Sequence, residues 1–134
     1  MSSRGVCLVI EDDQDIRGLI SIILTQTGFD VHAVATGAEG VEAAGSLNPA
    51  LVTLDLGLPD LDGHEVARRI RPLTDAPMLF ITARAERDDE IAGMASGAAA
   101  YLTKPFRPKQ LRKIADLLCP AERSMSLNSK PQCF

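Results

Sequence analysis

Several features are missing from this sequence of 134 residues, and each absence narrows the classes of protein to which it can belong. No apolar run approaches the length needed to cross a membrane, and residues 1–5 are too few to form the charged and apolar parts of a signal peptide. The three cysteines have no spacing typical of a metal site or a disulfide framework. Basic residues are not in excess, since the net charge is −4, which argues against a nucleic-acid surface over the whole chain. We therefore expect a protein of the reducing cytoplasm that does not contact membranes.

Short apolar runs alternate with segments of helical periodicity along most of the chain. Apolar runs bounded by turn residues are typical of buried strands, whereas apolar residues spaced three and four apart are typical of helices. The strands are predicted at about 6–10, 31–35, 51–54, 77–81 and 99–102, and the helices at about 16–27, 38–47, 63–73, 87–96 and 108–118. Because crossovers between parallel strands are right-handed, this alternation predicts an α/β fold, a doubly wound parallel sheet with helices on both faces.

Charged and hydroxyl side chains follow most of the predicted strands. They are Glu11, Asp12 and Asp13 after the first strand, Asp55 after the third, Thr82 after the fourth and Lys104 after the fifth. Taken singly, Asp13 or Asp15 could cap a helix, and Asp55 could start a turn. Thr82 could bond its own backbone, and Lys104 could be a solvated surface residue. Since the carboxyl ends of parallel strands meet at one edge of a sheet, we expect these side chains to lie close together.

Such a group of side chains favours a phosphate and metal site. Neighbouring carboxylates repel one another, so each needs a cation or a proton, and Mg²⁺ prefers oxygen ligands of this kind. A metal would also prepare Asp55 to accept a phosphoryl group, because it neutralises the approaching anion and holds it in line. Lys104 would supply a second cation for the phosphoryl oxygens, and the Thr82 hydroxyl would donate a hydrogen bond to another oxygen.

The same stretches resemble the receiver domain of bacterial two-component response regulators, most of all receivers of the winged-helix DNA-binding subfamily. The matching segments are VIEDD (9–13), LDLGLPDLDG (54–63), FITAR (80–84) and GAAAYLTKPF (97–106). The resemblance covers about residues 4–118 and implies a flavodoxin-like (βα)5 receiver domain with strand order 2-1-3-4-5. Residues 119–134 are polar and aperiodic, and we expect them to form a tail or a truncated linker.

The resemblance also implies a role for the acidic residues. Asp55 would accept the phosphoryl group from a phosphohistidine of a sensor histidine kinase or a phosphotransfer protein. Asp12 would bind Mg²⁺ directly and Glu11 through water, while Asp55 and the backbone carbonyl of Gly57 would complete the protein ligands. Asp13 would cap the first helix. The chain would then be a switch rather than an enzyme, since it would catalyse only its own phosphorylation and dephosphorylation.

In receivers, a threonine and an aromatic residue couple phosphorylation to the surface formed by the fourth helix, fifth strand and fifth helix. By resemblance these are Thr82, which would move toward the phosphoryl group, and Tyr101, whose ring would follow inward. From the residues alone, Tyr101 could equally be an amphipathic side chain at the edge of the core. His32 and His64 fit no phosphotransfer pattern and are expected at the surface.

Other functions were weighed against this one. A dinucleotide site would need a glycine-rich turn after the first strand, where the acidic run 11–13 stands. A Mg-dependent phosphatase with an aspartyl nucleophile, similar to the haloacid-dehalogenase class, would need an acid two residues after Asp55, and Gly57 occupies that position. The complete acidic, threonine and lysine set argues against a degenerate receiver that acts only as an interaction module. Both remain alternatives that turnover and phosphorylation assays separate.

The output of such a switch is the least determined part. Only 16 residues follow Leu118, too few for a DNA-binding domain, so we expect either a stand-alone receiver or the receiver part of a longer protein, without nucleic-acid binding of its own. Related DNA-binding receivers commonly pair through salt bridges whose acidic half lies in a Gly-Ala-Asp-Asp-Tyr segment. Here the segment reads Gly97-Ala98-Ala99-Ala100-Tyr101, so the basic residues of the last helix (Arg107, Lys109, Arg112, Lys113) lack these partners. We therefore expect weak or no homodimerisation through this face.

Overall fold

A parallel sheet of five strands forms the centre of the protein, whose computed structural model describes residues 4–83 and 98–120. The strands are β1 (Val6–Ile10), β2 (Asp30–Val34), β3 (Leu51–Leu54), β4 (Met78–Thr82) and β5 (Ala98–Thr103), and the helices are α1 (Gln14–Gln26), α2 (Gly37–Leu47), α3 (Gly63–Ile70) and α4 (Pro108–Leu118). The strands lie in the order β2-β1-β3-β4-β5, and every neighbouring pair is parallel. This confirms the predicted doubly wound sheet and its strand order. The helix predicted at about 87–96 lies outside the described residues.

Side chains of the central strands alternate between two apolar clusters, one on each face of the sheet. In β4, Met78 and Phe80 belong to the cluster that packs against α2 and α3, whereas Leu79 and Ile81 belong to the cluster that packs against α1 and α4. All residues of β4 are buried. Burial on both faces explains why these strands appear in the sequence as continuous apolar runs.

Most predicted boundaries differ from the observed ones by at most two residues. The exception is α3, which ends at Ile70, whereas the sequence predicts its end at about residue 73. The guanidinium of Arg71 donates hydrogen bonds to the carbonyls of Thr74 and Ala76, at 2.6 and 2.7 Å, and these bonds stabilise a turn where the helix would otherwise continue. No helix within the described ranges is long and apolar enough to cross a membrane.

Three aromatic rings lie in a row from α3 to β5. The His64 and Phe80 ring centroids are 5.7 Å apart, and those of Phe80 and Tyr101 are 5.6 Å apart in an edge-to-face arrangement. His64 is consequently half-buried, so the prediction of an ordinary surface histidine is wrong for His64, although His32 is exposed. Tyr101 is half-buried at the margin of the core.

Arg4 connects the start of the chain to the end of the last helix. Its guanidinium donates hydrogen bonds to the carbonyls of Cys119 and Thr27 and pairs with Asp116 Oδ1 at 2.8 Å. The same group lies 4.6 Å from the centroid of the Phe29 ring, within range of a cation–π interaction. These contacts hold β1, α1 and α4 together at the edge of the sheet opposite to the one that the strands reach at their carboxyl ends.

Candidate metal centre

The ends of neighbouring strands bring three carboxylates together. Ile10 of β1 pairs with Leu54 of β3, so the residues that follow them, Glu11 and Asp55, leave the sheet side by side. The Asp55 N–H donates to the Ile10 carbonyl at 3.0 Å, which continues the ladder to the edge. One carboxylate oxygen from each of Glu11, Asp12 and Asp55 lies within 4.8 Å of the other two. The structure therefore places these acidic residues at one point.

Lys104 reaches the same point from the end of β5. Its backbone N–H donates to the Thr82 carbonyl at 2.8 Å, which fixes the chain after β5 against the end of β4. Its Nζ lies 3.0 Å from Glu11 Oε1 and 3.5 Å from Asp55 Oδ2, and it donates a hydrogen bond to Glu11 Oε2 at 3.2 Å. A single ammonium group thus faces two buried carboxylates.

Negative charge exceeds positive charge at this centre. Glu11 and Asp55 are only 1% and 6% exposed, and Asp12 adds a third carboxylate from the solvent side. Burial raises the pKa of Glu11 to about 7, although the hydrogen bond from Lys104 opposes this rise, and the neighbouring charge of Asp55 adds to it. A divalent cation would relieve the repulsion. A set of three carboxylates with access to water fits the ligand preferences of Mg²⁺.

The backbone that carries Glu11 and Asp12 is held by Arg17 of α1. Nη1 of Arg17 donates to the Glu11 carbonyl at 3.0 Å and to the Asp12 carbonyl at 3.3 Å. The Asp13 side chain caps α1, as expected, and its N–H donates to Glu11 Oε2 at 3.2 Å. Sequence reasoning did not single out Arg17, and the only available signal was its position one turn after the acidic run.

The other predicted site residues lie around this centre. Gly57 is exposed, and its N–H donates to Asp55 Oδ1 at 3.1 Å. Thr82 is buried at the end of β4 and lies beside Thr103 in the register of the sheet. Tyr101 pairs in register with Phe80, one turn of the strand before Lys104, and so lies farther from the carboxylates than Thr82 does along the strands.

An additional contact joins the segment after Asp55 to the start of α2. The carboxylate of Asp60 accepts hydrogen bonds from the N–H groups of Gly37 and Ala38, at 2.8 and 3.0 Å. These bonds hold the pKa of Asp60 below its usual range. The partners precede Asp60 by 23 and 22 residues, so the local sequence shows only a turn-forming aspartate.

Comparisons with known proteins agree with this arrangement. The family model of the response regulator receiver domain matches residues 7–116. The chain is 37% identical over 125 residues to the probable transcriptional regulator ycf27 of Porphyridium aerugineum, covering 92% of this chain and 52% of that protein. It is 38% identical over 108 residues to the DNA-binding response regulator MtrA of Mycolicibacterium paratuberculosis, covering 81% and 48%. The chain thus spans about half the length of the curated relatives it matches.

Two similar solved structures contain a metal ion. One is a response regulator protein from Burkholderia pseudomallei with a phosphorylated aspartic acid, calcium ion and citrate, with a TM-score of 0.76 and 26% identity over 83% of this chain and 65% of that one. The other is the receiver domain of the sensor histidine kinase PA1611 from Pseudomonas aeruginosa, with magnesium coordinated in its active site cleft. Its TM-score is 0.77 at 29% identity, over 84% of this chain and 94–95% of that one, printed as 95%.

Proposed function

This chain belongs to the response regulator receiver domain family, and we propose that it is a phosphorylation-activated signalling switch in which Asp55 accepts the phosphoryl group. The observation that carries the proposal is the position of the Asp55 carboxylate, 3.5 Å from the Lys104 ammonium and within 4.8 Å of the Glu11 and Asp12 carboxylates. These residues combine a nucleophilic oxygen, a fixed cation and the ligands of a metal ion. Positioning and charge stabilisation of this kind are most of what phosphoryl transfer requires from a protein.

Mg²⁺ is the proposed cofactor. Asp12 and Asp55 would bind it directly, Glu11 would bind it through water, and the Gly57 carbonyl would complete the protein ligands. When bound, the ion would neutralise charge on the phosphoryl oxygens during transfer. The excess of carboxylates over ammonium groups at the centre supports this assignment, as do the ions described in the two similar structures.

The remaining residues act on the phosphoryl group and on the signal. An Asp55 oxygen would attack the phosphorus of a phosphohistidine in a kinase or phosphotransfer protein, so that a P–O bond forms as the P–N bond breaks. Lys104 would pair with one phosphoryl oxygen, and the Thr82 hydroxyl would donate to another. Thr82 and Tyr101 would then transmit the change to the surface around β5.

The switch would occupy residues 4–118, with 119–134 as a tail or linker, and would work in the cytoplasm. It would act on no separate substrate, which distinguishes it from a phosphatase. The basis for this is the family membership together with the absence of an acid at position 57, where the phosphatase class requires one.

The proposal is tested by mass spectrometry after incubation with acetyl phosphate and Mg²⁺. Wild-type protein should gain one phosphoryl group, and Asp55→Asn should gain none. Asp62→Asn is the matched control, because Asp62 is a second aspartate of the same segment whose carboxylate caps α3. An undiminished mass shift in Asp55→Asn would exclude Asp55 as the acceptor, and rapid turnover of phosphate monoesters would favour the phosphatase instead.

A further inference from the structure

The segment between β3 and α3, residues 55–62, carries both Asp55 and Gly57, and we call it the acceptor loop. Its two ends are in backbone contact. The Gly63 N–H donates to the Leu56 carbonyl at 3.3 Å, and a Cβ at Gly63 would lie only 2.5 Å from the Leu56 Cα and 3.0 Å from the Asp55 carbonyl oxygen. No larger residue fits at Gly63 without displacing this backbone, so the ends of the loop are fixed.

The middle of the acceptor loop is fixed by Asp60. Helix N-termini leave several N–H groups without partners inside the helix, and they favour a negative charge. In α2 the Thr36 side chain accepts from the N–H of Glu39, at 3.2 Å, whereas Asp60 accepts from the N–H groups of Gly37 and Ala38. Asp60 therefore completes the cap of a helix that precedes it by more than 20 residues in sequence.

The contact between the acceptor loop and α2 leaves no gap. A Cβ at Gly37 would lie 2.7 Å from Val66 Cγ2, 3.2 Å from Leu61 Cβ and 3.3 Å from Asp60 Oδ1. The start of α2 is thus in van der Waals contact with both the loop and α3. Packing this close means that the loop and the helix end cannot shift independently.

We propose that Asp60 is a positioning residue of the metal centre, which fastens the acceptor loop to α2 and thereby holds the Gly57 carbonyl and the Asp55 carboxylate in place for a divalent cation. Asp60 does not belong to the group of carboxylates that could share an ion, so its effect must pass through the loop. Only Leu58 and Pro59 separate it from Gly57, and proline restricts its own backbone and that of the residue before it. The inference rests on the proposed function, because it takes Gly57 and Asp55 as ligands.

The test compares Asp60→Ala and Asp60→Asn with Asp62→Ala as the matched control. Both aspartates lie in the acceptor loop and both cap a helix, but Asp62 caps α3 locally through the His64 N–H, at 3.0 Å. Mg²⁺ affinity is measured by isothermal titration calorimetry, and hydrogen exchange of the Gly37 and Ala38 amides by NMR. Thermal unfolding verifies that each variant is folded.

Asp60→Ala should weaken Mg²⁺ binding about tenfold, the lower end of what outer-shell partners of metal ligands contribute, and should speed exchange of the two amides. Asp60→Asn keeps one acceptor oxygen, so its affinity should fall between those of wild type and Asp60→Ala. Asp62→Ala should lower the unfolding temperature but change the Mg²⁺ affinity by less than about twofold, since a lost cap acts on stability.

Two results would overturn the inference while leaving the proposed function intact. One is equal Mg²⁺ affinity in wild type and Asp60→Ala, and the other is an equal loss of affinity in Asp60→Ala and Asp62→Ala, which would indicate general loosening of the loop. If wild-type protein bound no Mg²⁺ and transferred no phosphoryl group to Asp55, the proposed function would fail and the inference with it.

Discussion

Replacing Lys104 by methionine removes the one ammonium group that, among the described residues, faces the buried carboxylates of the centre. Methionine has a similar length and an unbranched side chain, so the change removes charge while keeping most of the packing. Lys104 lies 3.0 Å from a Glu11 oxygen and 3.5 Å from an Asp55 oxygen, and its side chain is 15% exposed against 2% and 8% for theirs. The contacts are therefore largely shielded from water.

The size of the effect follows from this burial. Removing one partner of a buried ion pair typically destabilises a protein by about 3–5 kcal/mol, because the other charge is left without compensation. We take the lower end, about 3 kcal/mol, since a buried carboxylate can relieve the repulsion by binding a proton. At roughly 4 °C per kcal/mol for a domain of this size, the unfolding temperature of metal-free protein should fall by about 12 °C.

Thermal unfolding followed by circular dichroism measures this, in EDTA and in saturating Mg²⁺. Lys104→Met should gain more from Mg²⁺ than wild type does, because the ion would replace the lost positive charge. Lys109→Met is the control, since Lys109 is exposed on α4 and the described residues offer it no ion pair. An unfolding temperature in EDTA that matched the control would refute the argument that Lys104 compensates Glu11 and Asp55.

Two further predictions concern the metal and the surface around β5. Asp12→Ala should abolish most of the Mg²⁺-dependent rise in unfolding temperature and leave metal-free protein at least as stable as wild type, because repulsion with Glu11 and Asp55 is reduced; an unchanged rise would exclude Asp12 as a ligand. Protein activated with beryllofluoride should remain largely monomeric at micromolar concentration in sedimentation experiments, because Ala99 and Ala100 supply no carboxylate for the basic last helix. A tight dimer that forms only on activation would contradict the second prediction.

The sheet and the position of the centre could be predicted because the central strands are buried on both faces. Each such strand is an apolar run, and the first charged residue after it, as with Ile10 followed by Glu11 or Leu54 followed by Asp55, leaves the sheet at its carboxyl edge. The periodicity of the sequence thus identifies both the strands and the residues that meet at their ends.

Contacts between distant residues could not be predicted in this way. The half-burial of His64 depends on the ring of Phe80, which lies on a different element, and the end of α3 depends on carbonyls that Arg71 reaches only once the chain has turned. Asp60 resembles any turn aspartate until α2 is packed beside it. Such side chains have no period, and their partners are set by how the helices lie on the sheet.

The contacts of Arg4 affect where the domain ends in a physical sense. The family match covers residues 7–116 and so leaves out both Arg4 and Cys119, the donor and acceptor of one of these hydrogen bonds. A bond to a backbone carbonyl leaves little trace in a comparison of sequences, because every residue offers the same acceptor. A fragment cut at the limits of the match would lose the tie between its first strand and its last helix, and its ends would separate before its core unfolds.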